Sequence, residues 1–229
     1  MNVHVFTDAD AVAREAARQI ADEARAAIAA RGRFTFAVSG GRTPWVMLRA
    51  LAEEQVPWNQ VHIFQVDERV APFGHPDRNL THIQQCFASN QGAVPTVHAM
   101  PVEDPALENA ARAYAHELQA CAGTPPVLDL AHLGLGADGH TASLVPGDAA
   151  LRIRGEDVAV TAEYQGRRRM TLTYPVIDRA RRILWVITGS EKAEMLSRLI
   201  EGDESIPAGR VRRDAATVLA DRAAADHAV

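Results

Sequence analysis

The sequence predicts an α/β fold with a mainly parallel central sheet, helices on both faces of that sheet and a small extra β segment. Three β-rich segments, at residues 33–38, 61–66 and 128–133, each run into polar or glycine-rich residues. Helical stretches follow or separate the strands at residues 45–52, 79–87 and 105–120. Because parallel strands need crossover connections, and these are usually helices, the alternation indicates a parallel sheet.

The two ends of the chain fit the same scheme. A strand at residues 3–6 precedes an alanine-rich helix that starts after Asp8 and is closed by Gly32. Residues 183–188 form a predicted strand before a helix at 191–201, and a last strand near 217–219 leads into a short helix. Residues 158–162 and 169–172 are predicted as strands near a corner, which is the extra β segment. No repeat or linker divides the chain, so residues 1–229 are expected to form one domain.

Composition and charge limit the function classes. A chain of 229 residues with 47% hydrophobic content can fill a core, and its longest strongly apolar run, at residues 183–187, is too short to cross a bilayer. The formal charge of -5 gives no general attraction for nucleic acid or an anionic membrane. We therefore expect a soluble protein with a small-molecule partner held by a local site and no nucleic-acid or membrane partner. A monomer is also expected, although the sequence itself does not reveal the oligomeric state.

Cysteine usage and the N-terminus bear on compartment. Cys86 and Cys121 show neither a C-x-x-C motif nor a His-Cys cluster in sequence, so neither a disulfide framework nor a zinc site is expected. The first residues carry no basic leader with an apolar core and no cleavage site. Together these features favour a reducing cytoplasm.

A first loop with chemical potential directly follows one predicted strand and precedes a helix. It consists of Ser39, Gly40, Gly41, Arg42, Thr43 and Pro44. Two glycines allow a tight turn with exposed backbone N–H groups, the hydroxyls add donors, and proline suits the first turn of a helix. A helix N-terminus of this kind favours a phosphate. The alternative is a plain strand-to-helix turn with a Thr cap.

The second loop, Asp67, Glu68 and Arg69, also stands at a strand end and is followed ten residues later by Asn79. Such a triplet often forms only a solvated ion pair. Its position favours a function instead, in which Arg69 holds a substrate oxygen while Asp67 or Glu68 fixes the orientation of the arginine.

The third loop, residues 134–147, is the most informative stretch, and we call it the histidine loop. Its glycines present Asp138 and His140 above the sheet, and a neutral histidine accepts a proton near pH 7. The loop also contains G-x-G-x-x-G, but no long helix begins at Gly139, so a nicotinamide cofactor is not expected. The remaining histidines lack this context and are predicted to be surface or packing residues: His4, His62, His75, His82, His98, His116, His132 and His227.

In this order, the segments SGGRTP, DER and GLGADGHTASLVPG resemble the 6-phosphogluconolactonase family of the glucosamine/galactosamine-6-phosphate isomerase superfamily. The resemblance continues through Arg169 in RRRMTLTYPVI, Lys192 in ILWVITGSEKAEML and the tail segment SIPAGRV. It departs from the family pattern at Val145, where phenylalanine is usual, and at Arg78-Asn79, where Ser-Asn is common. The resemblance implies a Rossmann-like fold of the sugar-phosphate isomerase type.

The resemblance also implies hydrolysis of 6-phospho-D-glucono-1,5-lactone to 6-phospho-D-gluconate, the second step of the oxidative pentose phosphate pathway, without a metal or redox cofactor. In this scheme His140 is the general base for water, oriented by Asp138 or a backbone carbonyl, and Arg69 holds substrate or developing negative charge. The phosphate-binding residues are expected to be Ser39, Gly40, Gly41, Arg42 and Thr43, with Asp67 also at the substrate and with positive charge from Lys192 and Arg169.

Two other functions are compatible with parts of the sequence. Glucosamine-6-phosphate deaminases share the glycine loops, but their motif D-G-H-I-A-F-N-E-P places a glutamate at Val145, and they tend to have tyrosine at Arg69. The Val145 side chain can neither accept nor donate a proton. A noncatalytic sugar-phosphate sensor is the second alternative, although no helix-turn-helix segment is attached. A serine esterase is not expected, because neither Ser39 nor Ser143 lies in G-x-S-x-G with a triad.

Overall fold

The computed structural model describes residues 1–88 and 92–226; the prediction for His227 falls outside them. It contains ten strands: β1 (Asn2–Phe6), β2 (Phe34–Val38), β3 (Val61–Gln65), β4 (Asp67–Arg69), β5 (Thr96–His98), β6 (Leu130–Leu133), β7 (Val158–Val160), β8 (Arg169–Leu172), β9 (Arg182–Ile187) and β10 (Ala216–Asp221). Seven of these strands pair in the order β1-β10-β9-β6-β2-β3-β5, with every neighbouring pair parallel. The predicted parallel sheet is therefore confirmed.

The helices are α1 (Ala9–Arg31), α2 (Arg42–Ala52), α3 (Asn79–Phe87), α4 (Leu107–Ala122), α5 (Tyr174–Arg179), α6 (Ala193–Glu201) and α7 (Arg222–Ala225). The first begins where the sequence predicts, because the Asp8 side chain accepts a hydrogen bond from the Ala11 N–H. It ends at Gly32, which adopts a left-handed φ of 75°. No helix in the described part of the chain is long and apolar enough to span a bilayer.

Helices cover both faces of the parallel sheet, as predicted. Alternate strand residues point to opposite faces, and they divide between two hydrophobic clusters. Phe36 and Ile63 pack with α1, α2 and α3, whereas Ala37 and Phe64 pack with α4, α5 and α6. The inner strands of this sheet, such as β2, β6 and β9, are thus buried on both sides, which explains why they appear in the sequence as nearly continuous apolar runs.

A second, three-stranded antiparallel sheet pairs the strands in the order β4-β8-β7. It confirms the extra β segment but corrects the interpretation of residues 67–69, which were predicted as a loop. They form β4, whose partner β8 comes about 100 residues later in the chain, so no local pattern reveals the pairing. The short elements β5 and α5 were also missed by the sequence prediction.

The topology brings three predicted loops to one edge of the molecule. Strands β2, β3 and β6 are parallel neighbours, and their carboxyl ends lead into residues 39–44, 67–69 and 134–147 respectively. In open α/β sheets this edge is where ligands bind.

A buried histidine on the central strand β6 supports the first of these loops. His132 is fully buried, and its Nδ1 accepts a hydrogen bond from the backbone N–H of Ser39 at 3.2 Å. The Ser39 hydroxyl in turn donates to the His132 carbonyl at 3.1 Å. Desolvation by burial lowers the pKa of His132 to about 3, so the imidazole is neutral at physiological pH.

This depressed pKa predicts a specific acid sensitivity. In the unfolded chain the pKa of a histidine is about 6.5. Above that pH the imidazole is neutral in both the folded and the unfolded chain, so the full stability is present. As the pH falls from there towards the folded pKa of about 3, the unfolded chain takes up a proton that the folded chain does not. The free energy of unfolding then falls by up to roughly 1.4 kcal/mol per pH unit from this group.

We expect His132→Asn to unfold at lower urea concentration at pH 7.5 yet to lose less stability than the unmodified protein between pH 7 and pH 4. Urea unfolding at several pH values measures both slopes. His116→Gln, at an exposed position on α4, is the matched control and should retain the original slope. An unchanged slope in His132→Asn would contradict the assignment.

Candidate active site

Two adjoining cavities open at the carboxyl edge of the sheet. The first, called here the histidine cavity, has a volume of about 170 Å³ and is lined by Ser39, Gly40, Asp67, Arg69, Asn79, Gly134, Leu135, Gly136, His140, Ala142, Arg169 and Lys192. The second, the helix cavity, has about 250 Å³ and is lined by Gly40, Gly41, Arg42, Thr43, Pro44, Gly134, Leu135, Val186, Ile187, Thr188, Glu191 and Lys192. Gly40 and Lys192 belong to both linings, so the two cavities share a wall.

The structure therefore brings most of the sequence-predicted residues together. Seven of them line the histidine cavity: Ser39, Gly40, Asp67, Arg69, His140, Arg169 and Lys192. Gly41, Arg42 and Thr43 line only the helix cavity, and Arg42 is exposed. Asp138 lines neither cavity but contacts His140 directly.

His140 is held in a tight turn of the histidine loop. The Gly136 N–H donates to the His140 carbonyl at 2.8 Å, and Gly139 between them has a φ of 80°, which favours glycine. A side chain at Gly136 is excluded, because its Cβ would lie 2.1 Å from Nδ1 of His140. The glycines of this motif are thus explained by the close approach of the imidazole to its own backbone, and not by a dinucleotide.

A chain of hydrogen bonds orients the imidazole. Nδ1 of His140 lies 2.5 Å from Oδ1 of Asp138, and Oδ2 of the same carboxylate accepts a hydrogen bond from the Tyr164 hydroxyl at 3.0 Å. The Tyr164 ring also meets the imidazole edge-on at 5.6 Å. With Asp138 on Nδ1, the other ring nitrogen, Nε2, is left to act on a ligand.

The charges of this chain support the same arrangement. Burial opposes ionisation of Asp138, but the charge of His140 and the hydrogen bonds from His140 and Tyr164 outweigh it and lower the pKa of Asp138. Burial and the bond to Asp138 both raise the pKa of Tyr164, so the tyrosine remains a donor. The carboxylate is therefore ionised at neutral pH, as the orienting group of a general base must be.

Two arginines lie side by side on neighbouring strands of the small antiparallel sheet. Arg69 on β4 and Arg169 on β8 are direct cross-strand partners, and both line the histidine cavity. Like charges in this position are unfavourable in the absence of an anion. Arg169 is only 5% exposed, and within the described structure its Nε has no hydrogen-bond partner. Burial lowers the pKa of Arg169, against the opposing attraction of Asp67.

The orientation of Arg69 differs from the sequence-based prediction. Its guanidinium Nη1 donates to the Asp77 carbonyl and to Oδ1 of Asn79, both at 3.0 Å. Neither carboxylate of the DER triplet holds it, so the prediction that Asp67 or Glu68 orients this arginine was wrong. Asp67 instead accepts a hydrogen bond from the Ser143 hydroxyl at 2.6 Å.

Glu68 is fully buried and does not line the histidine cavity itself, but it binds backbone groups of residues next to it. Its carboxylate accepts hydrogen bonds from the backbone N–H groups of Asn79 and Leu80 at 2.8 and 2.9 Å, which caps helix α3. Arg78, the departure noted from the family pattern, places its Nε 3.0 Å from the same carboxylate. The departure is therefore accommodated by an ion pair between two buried side chains.

Asn79 occupies the centre of this arrangement. Besides Arg69 it contacts the Asp67 carbonyl, to which its Nδ2 donates at 2.9 Å. Asn79 also explains why position 40 is a glycine, because a Cβ there would lie 1.9 Å from Oδ1 of Asn79. The glycine of the first loop thus lets the backbone approach the wall of the histidine cavity.

The helix cavity has the features of an anion site. Gly41 precedes α2 without a side-chain cap, so N–H groups of the first turn remain available. The Thr43 hydroxyl is 2.6 Å from that of Thr188. Lys192 immediately precedes α6, where a cation is disfavoured by the helix dipole. It is also the only lysine in the sequence, since every other basic position is arginine.

Sequence reasoning missed three residues of this region. Tyr164 follows no motif, Thr188 ends an apolar strand, and His132 was grouped with packing histidines although it holds Ser39. Of the three, only Thr188 could have been identified from the sequence, because it is a hydroxyl residue at the carboxyl end of a predicted parallel strand. The remaining two depend on contacts between distant parts of the chain.

The chain is similar to a known protein family and to several of its members. The family model described as glucosamine-6-phosphate isomerases/6-phosphogluconolactonase matches residues 7–220. A 6-phosphogluconolactonase of Mycobacterium tuberculosis is 33% identical over 241 residues, covering 98% of this chain and 97% of its own. One from Synechocystis is 38% identical over 179 residues, covering 76% of this chain and 74% of its own.

Solved structures show the same fold. The 6-phosphogluconolactonase of Thermotoga maritima superposes with a TM-score of 0.83 at 28% identity, covering 96% of this chain and 98% of its own. A monomeric glucosamine-6-phosphate deaminase reaches a TM-score of 0.82 at 22% identity, covering 99% of this chain and 100% of its own, and this likeness concerns the fold alone. On the family match and the identity to its relatives, this chain belongs to the glucosamine-6-phosphate isomerase and 6-phosphogluconolactonase family.

Proposed function

We propose that the chain hydrolyses 6-phospho-D-glucono-1,5-lactone to 6-phospho-D-gluconate, the second step of the oxidative pentose phosphate pathway. One observation carries the proposal: an imidazole oriented by a carboxylate lines the same cavity as Arg69, Arg169 and Lys192. A base for water and cations for an anionic substrate thus lie within one small space. The relatives of highest identity named above are 6-phosphogluconolactonases.

The substrate is placed with its phosphate at the wall shared by the two cavities. There the backbone at Gly40, the charge of Lys192 and the start of α2 are all within reach of one anion. Thr43 and Arg42 contact the phosphate from the helix cavity, and the sugar ring extends into the histidine cavity. Its C1 carbonyl then lies beside His140.

The hydrolysis follows from this placement. Nε2 of His140 takes a proton from water while the oxygen of that water attacks the lactone carbonyl carbon. The negative charge that develops on the carbonyl oxygen is stabilised by Arg69 or Arg169. When the tetrahedral intermediate collapses, the bond from C1 to the ring oxygen breaks, and the imidazolium returns its proton to that oxygen. No covalent enzyme intermediate is needed.

A deaminase reaction is the second candidate, because the fold is shared with a glucosamine-6-phosphate deaminase. The residue at the position of the deaminase glutamate is Val145, which is 6% exposed and packs in the protein. Arg69 lies where those enzymes tend to have tyrosine. Acid-base chemistry from position 145 is therefore absent, and lactone hydrolysis is favoured.

We propose further that the working unit is a cytoplasmic monomer acting on a small molecule. Every side chain invoked in the reaction comes from one chain, so no second subunit is required to complete the site. The two cysteines are free thiols, as suits a reducing compartment. Neither nucleic acid nor a membrane is needed as a partner.

The base is tested by His140→Gln. General-base assistance contributes about 10² to 10⁴ in rate, so kcat should fall by that factor while KM stays nearly constant. Acid release from freshly generated lactone, corrected for spontaneous hydrolysis, measures both parameters. His116→Gln serves as the control for loss of a histidine. Turnover retained in His140→Gln would rule out this base, and substrate binding without any turnover in the unmodified protein would indicate a sensor.

The positioning role of Tyr164 is tested by Tyr164→Phe, which keeps the ring and removes the hydroxyl that donates to Asp138. We expect kcat to fall by about tenfold or less, the value of one charge-assisted hydrogen bond acting through a neighbour. The hydrogen bond from Tyr164 helps to lower the pKa of Asp138, so its loss raises that pKa and the orienting carboxylate becomes protonated at a higher pH. The acid limb of the kcat/KM profile should therefore move to higher pH, whereas a purely structural role would leave the limb in place.

The phosphate anchor is tested by Lys192→Met, which removes the charge and keeps most of the side-chain length. A hydrogen bond to a charged group is worth about 1.5–3 kcal/mol, so kcat/KM for the phosphorylated lactone should fall about ten- to hundredfold. Hydrolysis of the phosphate-free lactone should be unaffected, and Lys192→Arg should restore part of the activity. Equal losses for both lactones would argue against an anchor at this lysine.

A further inference from the structure

A second cluster of reactive side chains lies at the edge of the sheet, away from both cavities. One ring nitrogen each of His62 and His98 and the Sγ of Cys121 all lie within 4.8 Å of one another. Within residues 1–88 and 92–226 this is the one such group of three potential metal ligands. None of the three residues lines the histidine cavity or the helix cavity.

The fold creates this cluster from residues far apart in sequence. Strand β5 is an edge strand paired with β3, and the register places His62 opposite Thr96 and His98 opposite Phe64. Because side chains alternate, the two histidines share one face of the sheet. Helix α4 covers this face and ends in a turn that carries Cys121. Sequence spacing alone therefore gave no metal motif.

We propose that His62, His98 and Cys121 bind a zinc ion, with a water molecule as the fourth ligand. Two imidazoles and one thiolate are ligands that zinc prefers, and three protein ligands with one open position form a known coordination set. In a tetrahedral site with bonds of about 2.0–2.3 Å, ligand atoms lie about 3.3–3.7 Å apart. Nδ1 of His62 and Nε2 of His98 are already 3.0 Å apart. All three ligand atoms lie within 4.8 Å of one another, so the site forms if the most distant pair approaches by about 1 Å.

An outer carboxylate supports the assignment independently. Nδ1 of His98 lies 2.6 Å from Oε1 of Glu117, which is one helical turn before Cys121 on α4. This is the carboxylate–histidine–metal arrangement, in which the carboxylate fixes the tautomer so that the other nitrogen faces the ion. Glu117 thereby leaves Nε2 of His98 as an acceptor, directed at His62.

The surroundings of the cluster favour a cation. The charged groups that act on the thiol are Arg33, Glu117 and Asp129, so two acidic groups oppose one basic group. Zinc binds the thiolate form of cysteine, so the thiol proton of Cys121 passes to solvent when the ion binds. Phe64 stacks against His98 at 4.2 Å and provides an apolar wall on one side.

The ion would join the edge strand β5 and strand β3 to the last turn of α4. Its expected effect is on stability, because a ligand that binds only the folded chain raises the melting temperature. Catalysis should not depend on it, since the three ligands lie outside both cavities. This proposal is independent of the proposed hydrolysis.

The test is titration of the chelator-treated full-length protein with Zn²⁺ in competition with a chromophoric chelator. We expect one zinc ion per chain, and at least a tenfold loss of affinity in His62→Gln and in Cys121→Ser. Cys86→Ser and His116→Gln are the matched controls and should bind as the unmodified protein does. Glu117→Gln should weaken binding about tenfold, as loss of an outer-shell partner does.

Substitution of zinc by Co²⁺ gives a spectroscopic readout of cysteine ligation that is already visible in the unmodified protein. A thiolate-to-cobalt charge-transfer band in the unmodified protein indicates ligation by cysteine, and this band should vanish in Cys121→Ser and persist in Cys86→Ser. Absence of stoichiometric zinc binding and of this band, or unchanged binding in Cys121→Ser, would overturn the proposal. Lactonase assays on the same samples separate the two proposals, because inactivity of the unmodified protein would refute the hydrolysis and leave the zinc result intact.

Discussion

The candidate site depends on one buried carboxylate, that of Glu68. Its two oxygens accept hydrogen bonds from the backbone N–H groups of Arg69, Asn79 and Leu80 and from the Gln65 side chain, at 2.7 to 2.9 Å. These bonds fix the end of β3, the strand β4 and the start of α3 relative to one another. A buried ionised group is tolerated only when it is satisfied in this way. Because Asn79 is fixed, Arg69 and the close approach of Gly40 are fixed as well.

The same framework holds two arginine side chains close together, and their repulsion lowers the free energy of unfolding. Arg69 and Arg169 are cross-strand neighbours, and Arg169 is buried with an unpartnered Nε. Partial compensation comes from Asn79 on Arg69 and from the Tyr164 ring, which lies 5.0 Å from the guanidinium of Arg169. An anion in the cavity would relieve the remaining unfavourable energy. Such preorganised charge is a recurrent feature of sites that stabilise developing negative charge.

Much of the fold was predictable because strands buried on both faces and helices with defined caps leave clear patterns. The parallel sheet and α1 follow from such patterns. The pairing of β4 with β8 was not predictable, because it joins residues about 100 positions apart. The three-residue strand β5 is partly exposed and too short to show a period.

Within the site, residues in dense motifs were predictable and their supporting residues were not. The position of His140 followed from the glycines around it. Tyr164, in contrast, reaches Asp138 from a turn 26 residues later, and no local pattern indicates that contact. The orientation of Arg69 was predicted incorrectly for a similar reason. Its nearest carboxylates in sequence point elsewhere, because Glu68 is occupied in capping α3 and Asp67 in binding Ser143.

The shared fold of lactonases and deaminases places the difference between them in a few side chains. In this chain the histidine loop has an imidazole next to a carboxylate, whereas residue 145 is a buried apolar side chain. Opening a sugar ring by acid-base catalysis needs a proton donor or acceptor at that second point, whereas hydrolysis of a lactone needs only an activated water and stabilisation of an oxyanion. The imidazole of His140 and the pair of arginines suit the second requirement, whereas Val145 supplies no acid or base for the first. Positions 145 and 69 are therefore where the proposed hydrolase differs in side-chain chemistry from the deaminase pattern.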